Sequence, residues 1–252
     1  MQALLEIEGI SKSFAGIKAV RDVSLSIRRG TITSIIGSNG AGKTTLFNII
    51  DGYLNADYGS VSYKGRRINR LSPARRAAIG IGRLWQDIRL FRNMTVLENL
   101  LTATKNHPGE KLSNYLVSYK RIRRVEAQNL HSAEKTLGLI GLRDKREALA
   151  QNLSYGQQKL LAIGRLLMND ADLLLLDEPT AGVHPILVDE VMTLIRKLAS
   201  DGKTVLMIEH NVLKAISVSD WVFVMDRGRL AISGEPQSVF SDPHLKEVYL
   251  AV

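Results

Sequence analysis

Segments in which apolar and polar residues alternate make up the first part of the chain. Leu4–Ile10 and Val23–Ile27 both alternate in this way, which predicts half-buried β-strands, and Arg29-Gly30 is typical of a turn. The β-branched run Thr31–Ile36 predicts another strand, and the pattern becomes helical at Thr45–Ile50. The chain therefore begins with short strands and tight turns and continues as strand, glycine-rich loop and helix.

The middle of the chain is predicted to be mainly helical. After a short strand at Ser60–Tyr63, Ser72-Pro73 is typical of a helix start, and Gly80 is expected to end that helix. Helical patterns follow at Thr95–Ala103 and from about Ser118 to Leu137, where apolar residues recur every three or four positions. A helical lobe is therefore expected between two parts of the chain that contain strands.

Strands and helices alternate regularly in the last third of the chain. A helix is predicted from Gly156 to about Met168, and the continuously apolar run Leu173–Leu176 predicts a buried parallel strand. Asp226-Arg-Gly228 is typical of a hairpin turn. The other expected elements are helices at 186–199 and 211–217 and strands at 204–208, 221–226 and about 230–232. This order predicts an α/β fold whose parallel sheet is covered on both faces.

The composition is that of a folded protein, but the positive charge is concentrated in one segment. Of the 252 residues, 45% are hydrophobic and 23% are charged, which disfavours disorder, and no cysteine is present for disulfides or thiolate chemistry. The formal net charge is +9, yet 19 basic and only 6 acidic residues lie between Ser60 and Arg146. Such a segment suits nucleic acid, an anionic membrane surface or another polyanion.

The chain is expected to be soluble. Its apolar runs are far shorter than the roughly 20 residues that a membrane helix needs, and its N-terminus carries acidic residues where a signal peptide would be basic.

The segment from Gly37 to Thr44, GSNGAGKT, matches the phosphate-loop pattern G-x-x-x-x-G-K-[ST]. Its glycines let backbone N–H groups approach phosphate closely, and the following helix adds the positive end of its dipole. Lys43 is expected to reach the β- and γ-phosphates and Thr44 to hold Mg²⁺. The alternative is a glycine turn with an exposed lysine, which the position between strand and helix disfavours. The residues predicted to contact the nucleotide are Gly37, Ser38, Asn39, Gly40, Ala41, Gly42, Lys43, Thr44 and Thr45.

Two later motifs add chemistry to the phosphate loop. Asp177 and Glu178 follow a buried strand, so the first can hold Mg²⁺ through water and the second can orient or deprotonate a nucleophilic water. In the segment Leu153–Gln157, Ser154 is a typical helix cap and Gly156 offers an exposed N–H at a helix start. Alone, the two motifs could be an ordinary strand end and an ordinary helix cap.

The order of the motifs resembles that of the ATP-binding subunits of ABC transporters, over essentially the whole chain. Five motifs occur in sequence: the phosphate loop, Gln86, LSYGQ at 153–157, LLLLDE at 173–178 and His210. The resemblance implies that the phosphate loop is the Walker A loop, that Asp177 is the Walker B aspartate and that Glu178 is the catalytic glutamate.

The same resemblance implies roles for several other residues. Gln86 would contact Mg²⁺ and sense the membrane subunit, His210 would be the switch histidine, and Phe14 would stack on adenine unless it packs in the core. The signature motif, which would meet the γ-phosphate of ATP on the opposite subunit, would consist of Ser154, Gly156 and Gln157.

The fold and the partners are also implied by the resemblance. The fold would be one P-loop NTPase (RecA-like) domain spanning 1–252. Residues 1–86 and 158–252 would form its core and an antiparallel β subdomain, and residues 87–157 an inserted α-helical subdomain. ATP and Mg²⁺ would be its cofactors. A second ATPase subunit, identical or paralogous, would join it head to tail, with two integral membrane permeases and a solute-binding protein. The chain would be peripheral, at the cytoplasmic face of the inner (plasma) membrane, and nucleic acid is not expected as a partner.

The sequence departs from the family pattern at two places. Tyr155 stands where the signature commonly has glycine, although Ser154 and Gly156 remain. The loop after Glu178 reads Ala-Gly-Val-His at 181–184 where the family usually ends in Asp or Asn, and His184 could hydrogen-bond across the dimer instead.

Finer similarity favours the ATPases of branched-chain amino acid importers. It rests on LSYGQQ, on GRLWQDIRLF at 82–91 and on MTVLENL at 94–100, and urea and amide importers share much of it. The basic lobe also allows a nucleic-acid-associated ATPase of the same superfamily, which the single ATPase unit disfavours. A P-loop kinase is disfavoured by the signature motif and by Gln86 and His210.

The basic segment is therefore interpreted as a surface for membrane-subunit loops and anionic headgroups. The alternative is a solvated helical face. The residues chosen to represent the basic surface are Arg75, Arg76, Arg123 and Arg124.

Overall fold

The first part of the chain forms a four-stranded antiparallel sheet in the computed structural model, which describes residues 3–105, 119–243 and 245. Its strands are β1 (Ala3–Phe14), β2 (Ile17–Arg28), β4 (Tyr58–Tyr63) and β5 (Arg66–Arg67), in the order β2-β1-β4-β5. The alternation predicts the burial well, since Leu5 and Ile7 are buried while Glu6 and Glu8 are exposed. The first two strands are longer than predicted because bulges interrupt their register and hence their alternation.

A six-stranded sheet carries the later strands in the order β10-β9-β3-β8-β7-β6. They are β3 (Ile32–Gly37), β6 (Ile81–Leu84), β7 (Leu173–Asp177), β8 (Thr204–Ile208), β9 (Trp221–Asp226) and β10 (Arg229–Gly234). All neighbours are parallel except β9 and β10, which form the predicted hairpin. β6 was not predicted, because Gly82 and Arg83 break its apolar pattern.

Eight α-helices occur among the described residues. They are α1 (Lys43–Ile50), α2 (Pro73–Ala78), α3 (Val96–Leu101), α4 (Tyr119–Leu139), α5 (Tyr155–Met168), α6 (Pro185–Ser200), α7 (Val212–Val218) and α8 (Pro236–Ser241). The first seven confirm the hydrophobic pattern, with ends shifted by one or two residues, although Ser118 lies outside the described residues. The short α8 was not predicted. None of the helices within the described ranges combines the length and hydropathy needed to cross a bilayer.

The six-stranded sheet is covered on both faces, as predicted. Ile35 faces a core that also contains Phe47 of α1 and Leu5 of the antiparallel sheet. Its neighbour Ile36 faces the opposite side and packs with residues of α7 and α8 such as Val239. Successive residues of one buried strand thus serve two cores.

The chain divides into two compact units. One contains the described residues up to Gln86, Asp172–Ala181 and those from Ile195 onwards, which include both sheets. The other contains the described residues of Asp87–Ala171 and Gly182–Leu194, which include α3, α4 and α5. The limits 87–157 of the helical subdomain stay a prediction, since the second unit also begins at residue 87 but takes in the whole of α5.

Arg76, assigned from the sequence to the basic surface, is only 2% exposed, and that assignment is wrong. Its guanidinium donates hydrogen bonds to the carbonyls of Ile49 and Ile50 at 2.7 Å, at the end of α1. It also donates to carbonyls in the connection that precedes α2, namely those of Ile68, Asn69 and Leu71. Hydrogen bonds to five carbonyl oxygens therefore compensate for the burial of the positive charge of Arg76. Arg75, Arg123 and Arg124 are exposed.

Candidate functional site

The phosphate loop lies where predicted, between β3 and α1. Gly42 directly precedes α1 and has a left-handed backbone with φ of 98°. A Cβ atom at Gly42 would lie 2.3 Å from the carbonyl oxygen of Ala19, and one at Gly37 would lie 2.4 Å from that of Met225. Only glycine fits these two positions, because the neighbouring backbone comes too close for any side chain.

Lys43 is buried and folds back over the loop. Its Nζ donates to the carbonyl oxygens of Gly37 at 2.7 Å and Ser38 at 2.9 Å. Burial lowers the pKa of Lys43, while the negative charges of Glu178 and Asp177 act against this shift. The observed burial excludes the alternative of a glycine turn with an exposed lysine. Beside it, Ser38, Asn39, Gly40 and Thr44 are exposed.

Two of the predicted site residues, His210 and Gln86, contact the carboxylate of the predicted catalytic glutamate, Glu178. His210 Nε2 lies 2.6 Å from Glu178 Oε1, and Gln86 donates from Nε2 to Glu178 Oε2 at 3.3 Å. Glu178 itself has a left-handed φ of 51°, and its N–H donates to the carbonyl of Ile208 at 3.0 Å. A non-glycine residue in this conformation stores strain, which is common at functional sites. The carboxylate is thus held in place by contacts within the chain itself.

Glu209 also contributes to this region, and the sequence reasoning missed it. It is 2% exposed, and its Oε1 accepts hydrogen bonds from the backbone N–H and the hydroxyl of Thr180, at 3.1 and 2.8 Å. These contacts join the turn after Glu178 to the end of β8, next to His210. The available signal was an acidic residue directly after the continuously apolar strand Thr204–Ile208.

Phe14 presents its ring to solvent at the tip of the β1–β2 hairpin. The residue is 44% exposed, and Lys12 Nζ lies 5.5 Å from the ring centroid. This exposure disfavours the alternative of core packing and leaves the ring free to stack on a planar ligand.

The signature residues belong to the second unit, at the start of α5. Ser154 and Gln157 form a reciprocal capping box, in which the Ser154 hydroxyl accepts from the Gln157 N–H at 3.3 Å. Gly156 is buried rather than exposed as predicted. A Cβ there would lie 2.8 Å from Leu187 and 3.0 Å from Val183, so packing requires the glycine.

The oxygen donors of the first unit suit Mg²⁺. The Thr44 hydroxyl, the Asp177 carboxylate and the Gln86 amide offer hard oxygen ligands. The described part of the chain contains no group of three His, Cys, Asp or Glu side chains that could hold a metal ion alone. A magnesium ion here would therefore need phosphate oxygens or water to complete its shell, as Mg²⁺ sites with nucleotides commonly do.

The chain is similar to known proteins over most of its length. Residues 20–181 match the family model described as ABC transporter. The chain is 36% identical over 250 residues to the high-affinity branched-chain amino acid transport ATP-binding protein LivG of Salmonella typhimurium, covering 99% of this chain and 98% of that protein.

Two solved structures resemble the fold. One is the ADP conformation of MJ1267, an ATP-binding cassette of an ABC transporter, with a TM-score of 0.86, 37% identity and complete coverage of both chains. The other is a dimeric post-hydrolysis state of the cassette MJ0796 bound to ADP and Pi, with a TM-score of 0.75 and 25% identity. It covers 92% of this chain and 98% of that one.

Proposed function

We propose that this chain is the ATP-hydrolysing subunit of an importer of branched-chain amino acids. The premise is that the chain belongs to the ABC transporter family. The chain has the P-loop NTPase fold of that family and is an ATP hydrolase. The observation that carries the assignment of the active site is the contact of Gln86 and His210 with the carboxylate of Glu178. The full-length similarity to LivG supports the substrate class.

The nucleotide is held by the phosphate loop. Backbone N–H groups between Gly37 and Thr45 bind the phosphates, and Lys43 exchanges its two carbonyl contacts for β- and γ-phosphate oxygens. Thr44, Asp177 and Gln86 would hold Mg²⁺, which when bound neutralises charge on the phosphates. Phe14 stacks on the adenine ring.

Glu178 and His210 act on the attacking water and on the γ-phosphate. The carboxylate of Glu178 orients water in line with the γ-phosphorus and accepts its proton as the new P–O bond forms and the β–γ bridge bond breaks. His210 donates to a γ-phosphate oxygen. The products are ADP and inorganic phosphate.

A second ATPase subunit, identical or paralogous, completes the site. Its Ser154 and Gln157 would face the γ-phosphate with the positive end of α5, and its Gly156 would allow the close packing of that helix start. The similarity to a dimeric cassette supports this arrangement. Two membrane permeases and a solute-binding protein complete the transporter, which places this chain at the cytoplasmic face of the membrane.

Uptake measurements in cells test the substrate class. Deletion of the gene should abolish energy-dependent uptake of radiolabelled leucine, isoleucine and valine while leaving uptake of lysine unchanged. The wild-type gene should restore uptake, and a Lys43→Ala variant should not. Loss of urea or amide uptake instead, with leucine uptake intact, would identify the related importer class and contradict the proposal.

Charge reversal tests the proposed contact of the basic segment with the membrane. Arg75→Glu, Arg123→Glu and Arg124→Glu together should weaken binding to phosphatidylglycerol vesicles at least about tenfold, because each basic residue near an anionic surface contributes roughly 1 kcal/mol. Co-sedimentation at low and high salt measures this, and ATP affinity should stay unchanged. The control is Arg227→Glu, an exposed site outside the segment. Equal vesicle binding by both variants would show that the basic segment does not contact lipid.

A further inference from the structure

Arg83 joins the helix that follows the phosphate loop to the end of strand β7. Its side chain lies in the middle of β6 and is 4% exposed. Nη2 donates to Asp177 Oδ2 at 2.8 Å. Nη1 donates to Asn48 Oδ1 at 2.7 Å and to Asp51 Oδ2 at 2.9 Å. One guanidinium thus connects the last turn of α1 and its C-cap to the carboxylate assigned to the metal.

Aromatic rings limit the movement of this guanidinium. Arg83 Cζ lies 3.9 Å from the centroid of the Trp85 ring and 5.7 Å from that of Phe47. Tyr53 packs edge-on against Trp85, with ring centroids 5.4 Å apart. A planar guanidinium that is stacked and hydrogen-bonded at both terminal nitrogens has little freedom to rotate.

The cluster of Arg83, Asp51 and Asp177 keeps one net negative charge. The Asp177 side chain is 5% exposed, and a buried carboxylate needs a hydrogen-bonded partner. Asp51 approaches Arg83 from the α1 side and offsets its positive charge. Arg83 can therefore orient Asp177 without adding a net positive charge that would repel a divalent cation.

We infer that Arg83 is a positioning residue for metal binding: it fixes Asp177 through Oδ2 and leaves Oδ1 to the cation or to a water on the cation. The inference rests on the proposed function, in which Asp177 serves the metal. Arg83 acts through Asp177 and does not contact the nucleotide. Partners that orient a metal ligand in this way typically change metal affinity 10–100-fold when removed.

Metal binding in the presence of ADP tests this role. The probe is Mn²⁺, which takes the same oxygen donors as Mg²⁺ and is followed by electron paramagnetic resonance. Arg83→Gln and Asp51→Asn should each weaken Mn²⁺ binding to the ADP complex about tenfold. Affinity for ADP in the presence of EDTA should change less than about twofold in both, because the phosphate loop remains.

Arg83→Gln separates positioning from simple electrostatics, whereas both explanations predict weaker binding in Asp51→Asn. If Arg83 acted only as a charge, its removal would tighten Mn²⁺ binding and removal of the negative charge of Asp51 would weaken it. Positioning predicts weaker binding in both. Tighter or unchanged binding in Arg83→Gln would overturn the inference, as would an equal loss of metal-free ADP affinity, which would indicate general damage to the fold.

Two further variants keep the test interpretable. Arg165→Gln is the matched control, because Arg83 and Arg165 both have a buried Nε and lie over an aromatic ring, which is Phe91 for Arg165, but Arg165 belongs to the second unit. It should bind Mn²⁺ like wild type, and weakening in this control equal to that in Arg83→Gln would overturn the inference.

Arg83→Lys keeps the charge without the forked geometry and serves if Arg83→Gln does not fold. Its Mn²⁺ affinity should fall below that of wild type, but by less than the loss of about tenfold that is expected for Arg83→Gln. Wild-type affinity in Arg83→Lys would overturn the inference. Failure of the wild-type ADP complex to bind Mn²⁺ would overturn the metal site of the proposed function as well.

Discussion

Replacing Glu178 with glutamine should lower the rate of ATP hydrolysis by about 10²–10⁴-fold while leaving ATP binding intact. The amide has nearly the same size as the carboxylate but cannot accept the proton of the attacking water. The carboxylate charge in the contact with His210 at 2.6 Å is lost, whereas the hydrogen bonds of Lys43 to the phosphate loop do not involve Glu178. Phosphate release at saturating MgATP and equilibrium binding of a fluorescent ATP analogue measure the two effects separately.

The same variant should accumulate an ATP-bound dimer, because closure no longer leads to hydrolysis and opening. Light scattering with and without ATP detects this species. Glu190→Gln, an exposed site on α6, is the matched control and should behave like wild type in both assays. Unchanged hydrolysis in Glu178→Gln would refute the catalytic assignment, and equal activity of monomer and dimer would refute the role of Ser154–Gln157 in trans.

The features that the sequence predicted correctly depend on local geometry. The glycines of the phosphate loop are recognised by their spacing within one short segment, even though the backbone that leaves no space for a Cβ belongs to the distant residues Ala19 and Met225. The same holds for the buried strand that ends in Asp177 and for the Ser154 helix cap. Short motifs of this kind predict both the chemistry of their residues and the place of those residues in the fold.

The failures concern buried charges whose partners are distant in sequence. Arg76 was assigned to the surface and β6 was missed because of Arg83, since charged residues are rarely buried without partners. The partners of Arg83 lie 32, 35 and 94 positions away. The predicted exposure of Gly156 was wrong for a similar reason, because the side chains that pack against it belong to a later segment that contains Leu187.

Replacing Arg76 with methionine should lower the free energy of unfolding by at least about 3 kcal/mol. The guanidinium satisfies five carbonyl oxygens, and each buried acceptor left unsatisfied costs about 1–3 kcal/mol, of which water entering the space can recover a part. The Arg76 guanidinium also places a positive charge at the C-terminal end of α1, where the helix dipole favours a positive charge. Urea denaturation followed by circular dichroism measures the change.

Arg75→Met provides the control, because Arg75 is the exposed neighbour on the same helix and should change the unfolding free energy by less than about 0.5 kcal/mol. The two variants lose the same charge from adjacent positions, so their difference isolates the buried carbonyl contacts. Similar unfolding free energies for both would mean that water replaces the guanidinium at no cost. A large loss in Arg76→Met alone would show that Arg76, which the sequence analysis assigned to a partner surface, instead stabilises the C-terminal end of α1.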